Sequence, residues 1–121
     1  MGNRILVADD SDSMRQLICS TLQGEGYKVT AALDGKDAIN QLEDNEVDLV
    51  VSDLKMPNID GLELLKYLRG HDTFKSIPVV MLTTESQYSK VIAAKNAGIN
   101  AWIIKPFAPA KLISTVSELL P

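Results

Sequence analysis

The chain has 121 residues, a formal net charge of −4 and 45% hydrophobic residues, so it can bury the core of one domain. Its single cysteine excludes an internal disulfide and a multi-cysteine zinc motif. An isoelectric point near 4.9 argues against nucleic acid as a direct partner, and no segment has the pattern of a signal peptide or a membrane span. We therefore expect one domain over residues 1–121 in the cytoplasm.

Five short apolar runs alternate along the chain with stretches of helical spacing. The runs are residues 5–8, 29–32, 49–52, 79–82 and 101–104. The helical stripes consist of Met14, Leu17, Ile18 and Leu22; Ala38, Ile39 and Leu42; Leu62, Leu65 and Leu68; Val91, Ala94 and Ala97; and Leu112, Val116, Leu119 and Leu120. Such alternation predicts a parallel sheet with helices on both faces.

Residues that begin or end helices agree with this division. Asp12, Asp34 and Asp60 are suited to cap helix starts, and Pro109 suits a first helical turn. Gly26, Gly70 and Gly98 occupy positions where a helix-ending glycine is expected. No glycine-rich phosphate-binding motif occurs, so dinucleotide and P-loop readings are set aside.

The predicted fold class is α/β, a doubly wound (βα)5 flavodoxin-like three-layer sandwich. Right-handed crossovers leave few arrangements for five parallel strands, and 2-1-3-4-5 is the order that known folds of this class adopt. In that order the first, third, fourth and fifth strands are consecutive neighbours. Polar residues at their carboxyl ends are therefore expected to share one hollow.

The residues that follow those strands form a set with a definite chemistry. They are Asp9 and Asp10, then Asp53, then Thr83 and Thr84, then Lys105. Three neighbouring carboxylates repel one another unless a cation relieves them, and Mg²⁺ prefers such oxygen ligands. With the ion present, a carboxylate can attack phosphorus while the metal and a lysine neutralise charge. Asp53, the central acid, is the expected nucleophile.

These motifs resemble the receiver domain of bacterial response regulators over essentially the whole chain. The resemblance is carried by Asp9-Asp10-Ser11 and by residues 53–61, 80–83 and 101–107. Asp10-Ser11 followed by Met14-Arg15, with no output domain, is similar to the stand-alone chemotaxis type. The resemblance implies a response regulator of a two-component phosphorelay that acts as a monomer and catalyses only its own phosphorylation and slow dephosphorylation.

The resemblance also implies a role for each matching residue. Asp53 would be phosphorylated by a histidine kinase, with Mg²⁺ held by Asp9, Asp10, Asp53 and the Lys55 carbonyl. Thr83 and Lys105 would bind the phosphoryl oxygens, and a cis peptide would precede Pro106. Signalling would follow movement of Thr83 and inward rotation of Trp102. These movements would remodel the face of helix 4, strand 5 and helix 5 for an effector, motor or phosphotransfer protein.

Two residues depart from the commonest receiver pattern. The switch position usually holds Tyr or Phe, and the larger Trp102 could instead be an ordinary half-exposed strand aromatic. Lys55, two residues after the nucleophile, faces Glu85 at the matching place after Thr83. We hypothesise that Lys55 and Glu85 pair across the mouth of the site and prolong the phosphorylated state.

Three other functions remain open on the sequence alone. A small haloacid-dehalogenase-like Mg²⁺ phosphatase also uses an aspartyl phosphate, and residues 10–12 supply its D-x-D motif, although that class places the nucleophile after the first strand. A receiver-like module that is never phosphorylated is the second. An intermediate phosphate relay without motor output is the third.

Overall fold

The computed structural model describes residues 3–120, which form five strands and five helices in strict alternation. Every predicted strand and helix is confirmed, with bounds that differ by few residues. The elements are β1 (Arg4–Ala8), α1 (Asp12–Gln23), β2 (Lys28–Ala32), α2 (Gly35–Asp44), β3 (Leu49–Ser52), α3 (Gly61–Arg69), β4 (Val79–Thr83), α4 (Tyr88–Asn96), β5 (Ala101–Ile104) and α5 (Pro109–Leu119).

The strands form one parallel sheet in the order β2-β1-β3-β4-β5, as the sequence predicted. Ala8 pairs with Ser52, so the ends of β1 and β3 are level. Thr83 pairs with Ile104, which brings the ends of β4 and β5 level in the same way. The residues that leave these four strands therefore meet at one edge of the sheet.

The sheet separates two hydrophobic cores. One core joins β1, β3 and β4 to α1 and α5, through residues such as Ile18 and Leu112. The other joins the opposite face of the sheet to α2, α3 and α4, through residues such as Leu42 and Leu65. β1, β3 and β4 are buried on both faces, which explains why their sequences are continuously apolar.

Three of the predicted helix boundaries are confirmed and one is corrected. Asp34 and Asp60 cap α2 and α3 through their side chains, and Pro109 opens α5. The cap of α1 is Ser11 and not Asp12, because the Ser11 hydroxyl accepts the N–H of Met14. Asp12 is instead the first helical residue, where its negative charge interacts favourably with the positive end of the helix dipole and stabilises α1.

The glycine predictions hold at two of three positions. Gly26 and Gly98 have positive φ angles of 92° and 95°, which glycine adopts without steric cost. Gly70 has φ −87° in the right-handed helical region and is the C-cap directly after Arg69, not a left-handed residue beyond the cap.

One side chain of a predicted helical stripe is not buried. Leu17 is 48% exposed, because the buried stripe of α1 follows Ile18 and Leu22 four residues apart and Leu17 lies about 100° around the helix from Ile18. His71 is half-buried, with its ring stacked on Phe74 at a centroid distance of 4.3 Å. Within residues 3–120, no helix combines the length and hydrophobicity that a membrane crossing requires.

Candidate functional site

Three carboxylates meet at the carboxyl edge of the sheet. Asp9 and Asp10 follow β1 and Asp53 follows β3, and one oxygen of each lies within 4.8 Å of the others. Asp9 is completely buried, Asp53 is half-buried and Asp10 is exposed. The cluster therefore runs from the interior to the solvent, with Asp53 between a buried and an exposed acid.

Lys105 supplies the positive charge in this cluster. Its Nζ donates to Asp9 Oδ2 at 2.7 Å and to Asp53 Oδ2 at 3.2 Å. The lysine side chain is only 8% exposed, so water screens these two ion pairs poorly. The following Lys105–Pro106 peptide bond is cis, as the resemblance implied.

Backbone groups fix the other carboxylate oxygens. Asp9 Oδ1 accepts the N–H of Ser11 at 2.9 Å, and Asp53 Oδ1 accepts the N–H of Leu54 at 2.7 Å. Gly61 packs against the main chain of Asp53 so closely that an added Cβ would lie 2.3 Å from the Asp53 carbonyl oxygen. Only glycine fits there, so the start of α3 holds the acid in place.

The donor set suits a hard divalent cation. Three carboxylates and one ammonium group leave the site with a net negative charge, and carboxylate oxygens are the ligands that Mg²⁺ prefers. The exposed edge at Asp10 leaves room for the water ligands that Mg²⁺ retains. Lys55 belongs to the loop directly after Asp53, where a main-chain carbonyl could join the set.

A hydrogen-bonded chain leads from this edge to β5. Thr83 is buried at the end of β4, and its hydroxyl accepts the N–H of Glu85 at 3.2 Å, whereas Thr84 is exposed. The indole Nε1 of Trp102 donates to the Glu85 carbonyl at 3.1 Å. Thr83 and Trp102 thus contact the same residue of the loop between β4 and α4.

Glu85 also forms the predicted pair across the mouth of the site. Lys55 Nζ lies 3.5 Å from Glu85 Oε1, with side-chain exposures of 75% and 10%. The N–H of Gln87 donates to the Glu85 carboxylate, and this bond, with the nearby Lys55 charge, lowers the pKa of Glu85. The Lys55–Glu85 ion pair is therefore present, and its effect on the lifetime of the phosphate stays a prediction.

Sequence reasoning gave Arg15 no role at the site. Its Nη1 donates to the Asp9 carbonyl at 2.8 Å, its Nη2 pairs with Asp12, and its side chain is 13% exposed. The guanidinium group therefore secures the peptide that links the first two acids. The i,i+3 spacing of Asp12 and Arg15 was the available signal, but it did not indicate the bond to Asp9.

Comparison with known proteins identifies close relatives of the chain. The family model described as the response regulator receiver domain matches residues 5–117. The chemotaxis protein CheY1 of Helicobacter pylori is 41% identical over 119 residues, which cover 97% of this chain and 96% of that protein. The chemotaxis protein CheY-3 of Vibrio cholerae is 38% identical over 117 residues, covering 96% and 90% respectively.

Solved structures agree with these sequence relatives. The chemotaxis protein CheY4 of Vibrio cholerae matches with a TM-score of 0.91 at 38% identity, covering 97% of this chain and 98% of that chain. A signal receiver domain of a signal transduction histidine kinase from Syntrophus aciditrophicus matches with a TM-score of 0.90 at 31% identity, covering 97% and 89%. The same fold therefore occurs in chemotaxis proteins and in receivers that belong to kinases.

Proposed function

The chain belongs to the response regulator receiver family of two-component signalling, and from that premise we propose that Asp53 is the residue that a histidine kinase phosphorylates. Members of this family are signalling regulators and not turnover enzymes, so the haloacid-dehalogenase reading has no support. We further propose that residues 1–121 act as a single-domain regulator that catalyses only its own phosphorylation and slow dephosphorylation.

One observation carries the proposal. Asp53 stands at the end of the central strand with its side chain 14% exposed, next to two other acids and 3.2 Å from the Lys105 ammonium group. A carboxylate in this setting is accessible from the exposed side and is paired with a cation on the buried side. Both conditions favour a nucleophile that attacks an incoming phosphoryl group.

Each neighbour has a part in the proposed transfer. A carboxylate oxygen of Asp53 forms a bond to phosphorus as the P–N bond to the kinase histidine breaks, and the bonding electrons remain on the histidine nitrogen. Lys105 and the Thr83 hydroxyl would then bind the new phosphoryl oxygens. Asp9, Asp10, Asp53 and the Lys55 carbonyl would hold Mg²⁺, which supplies further charge neutralisation when bound.

The loop after β4 offers a route from the site to the partner surface. The Thr83 hydroxyl accepts the N–H of Glu85, so its movement towards a phosphoryl oxygen would shift this residue of the loop. The Glu85 carbonyl holds the indole of Trp102, so movement of this loop would release or draw in the ring. We propose that this movement remodels the face of α4, β5 and α5, where an effector, motor or phosphotransfer protein binds.

The Lys55–Glu85 pair would control the lifetime of the phosphate. Hydrolysis requires a water molecule to approach phosphorus from the open side of the site, and we propose that Lys55 and Glu85, which lie 3.5 Å apart, flank that approach. Side chains that pair across the opening would hinder this approach. The pair therefore supports a longer-lived phosphorylated state than an open site would have.

The output of the signal is proposed from the relatives. Both sequence relatives described above and one of the solved structures are named chemotaxis proteins, which supports a chemotaxis role. We propose in addition that the protein is a cytoplasmic monomer that does not bind nucleic acid or membrane. The likeness to a histidine kinase receiver supports a second candidate, an intermediate relay that passes the phosphate to a phosphotransfer histidine.

Intact mass and the single tryptophan together test the proposal. With Mg²⁺ and acetyl phosphate, we expect one phosphate adduct and a change in Trp102 fluorescence, both abolished by Asp53→Asn and both retained in Asp44→Asn, which alters an exposed acid at the end of α2. An unmodified parent protein, or an adduct that persists in Asp53→Asn, would refute the assignment of Asp53.

A further inference from the structure

We infer that the turn before α2 is a positioning device for the loop that carries Lys55, and that it sets the affinity of the site for Mg²⁺. The device, here named the strut, consists of Asp34 and Gly35 on one side and Asn58 and Ile59 on the other. This inference rests on the proposed function of the acidic cluster. None of the four residues belongs to that cluster, so each would act through the loop.

The first part of the strut is a shared carboxylate. Asp34 Oδ1 accepts the N–H of Asp37 at 2.8 Å and so caps α2. Asp34 Oδ2 accepts the side-chain N–H of Asn58 at 2.9 Å, across 24 residues of sequence. Bonds from Asp37 and Asn58 lower the pKa of Asp34, so the carboxylate is charged at neutral pH. One acid thereby joins a helix start to the loop between β3 and α3.

The second part is a direct contact between two main chains. Gly35 is buried, and a Cβ added there would lie 2.2 Å from the Ile59 carbonyl oxygen. Asn58 itself has φ 68°, in the left-handed region that asparagine tolerates better than most residues. The loop therefore adopts a local conformation that fits against α2, and both the hydrogen bond and the close contact hold it there.

The strut complements anchors on the inner side of the same loop. The N–H of Asp53 donates to the Ala8 carbonyl at 2.9 Å, and the N–H of Gly61 donates to the Leu54 carbonyl at 2.7 Å. Lys55 lies between the inner anchors and the strut, with a side chain that is 75% exposed. Since that exposed side chain can hold its own backbone only weakly, the orientation of the Lys55 carbonyl depends on the segments on either side.

Two substitutions break the Asp34–Asn58 hydrogen bond of the strut, one from each side. Asn58→Gly removes the side-chain donor and still permits the positive φ angle. Asp34→Ser keeps an oxygen that can cap α2 but is too short to bond the side chain of Asn58 as well. Asn45→Gly is the matched control, because Asn45 is exposed at the opposite end of α2 and its side chain bonds only within that helix and its cap, to Gln41.

The readout is the dissociation constant for Mg²⁺, measured on folded protein by following backbone amide resonances during Mg²⁺ titration. We expect about a tenfold weaker affinity in Asn58→Gly and Asp34→Ser, the lower part of the range for groups that orient metal ligands, and the parental value in Asn45→Gly. A purely structural role would lower the unfolding temperature and leave this constant unchanged.

The outcomes separate this inference from the proposed function. If the parent binds Mg²⁺ and becomes phosphorylated while both strut variants keep its dissociation constant within twofold, the strut inference is overturned and the proposed function stands. If the parent does not bind Mg²⁺ at all, the proposed function fails and the inference fails with it. Each variant alters only one partner of the Asp34–Asn58 bond, so a single variant that folds is enough to test the inference.

Discussion

Removing the ammonium group of Lys105 should destabilise the protein strongly when no divalent cation is present. Lys105→Met keeps most of the unbranched side chain but leaves Asp9, which is fully buried, without its ion pair, and leaves Asp53 beside it. Breaking a buried pair in this way costs about 3–5 kcal/mol. Asp10 opens the cluster to water, so we expect the lower value, about 3 kcal/mol.

This loss is large enough to measure in two independent ways. For a domain of this size, about 3 kcal/mol corresponds to a fall of roughly 10–15 °C in Tm. Urea and thermal unfolding followed by circular dichroism in EDTA would report both quantities. Lys111→Met, which removes an exposed lysine from α5, is the matched control and should stay within about 0.5 kcal/mol of the parent.

A second substitution isolates the cause. If unpaired charge is responsible, Asp9→Asn in the Lys105→Met background should restore most of the lost stability, since the pair couples the two sites. A Lys105→Met protein as stable as the Lys111→Met control would refute this reasoning.

Three further predictions follow from other contacts. Lys55→Ala should shorten the lifetime of the Asp53 phosphate by about threefold, a modest factor because an exposed ion pair holds its side chains weakly; decay of the phosphorylated mass species measures it. Gly61→Ala should destabilise the protein by about 3 kcal/mol in urea unfolding and slow phosphorylation, because the added Cβ would lie 2.3 Å from the Asp53 carbonyl oxygen. The pKa of Asp34 is lower in the folded protein than its unfolded value of about 3.9, so the stability that its charge contributes should be present above that value and be lost as the pH falls through the folded pKa. The difference in free energy of unfolding between the parent and Asp34→Asn should therefore be constant from pH 7 to about 5 and shrink below about 4.

Each of these three has a distinct control or contrary result. A phosphate that decays no faster in Lys55→Ala would exclude the pair as a barrier to water. Gly70→Ala should leave stability nearly unchanged, because the nearest atom to its added Cβ is 3.4 Å away, and an equal loss in both glycine variants would contradict the packing argument. A gap between parent and Asp34→Asn that stays constant down to pH 2 would show that the charge of Asp34 is not responsible.

The acidic site could be predicted from sequence because its signals are local. Asp9 and Asp53 each follow a continuous apolar run directly, and the end of such a run marks the edge where parallel strands present their ligands. The Lys55–Glu85 pair was predictable for the same reason, since its members stand two residues beyond Asp53 and Thr83 on neighbouring strands. The strand order itself had to come from the known fold class.

The contacts that sequence reasoning missed depend on choices that only tertiary structure makes. Ser11 and Asp12 can both cap a helix, and the path of the chain after β1 selects the serine. Leu17 is as apolar as Ile18, but only tertiary packing decides which side of α1 faces the sheet, and Leu17 lies outside the buried stripe of Ile18 and Leu22. The hydrogen bond between Asp34 and Asn58 requires two turns that are far apart in sequence to lie next to each other, and neither turn has a sequence pattern that indicates this contact.

The division of the interior by the sheet has a consequence for how such a protein can diverge. Side chains under α1 and α5 do not share a packed layer with those under α2, α3 and α4. Substitutions on opposite sides should therefore combine additively, whereas those on one side should require compensating neighbours. A lineage could therefore repack the layer under α1 and α5 while the layer under α2, α3 and α4 kept its ancestral packing.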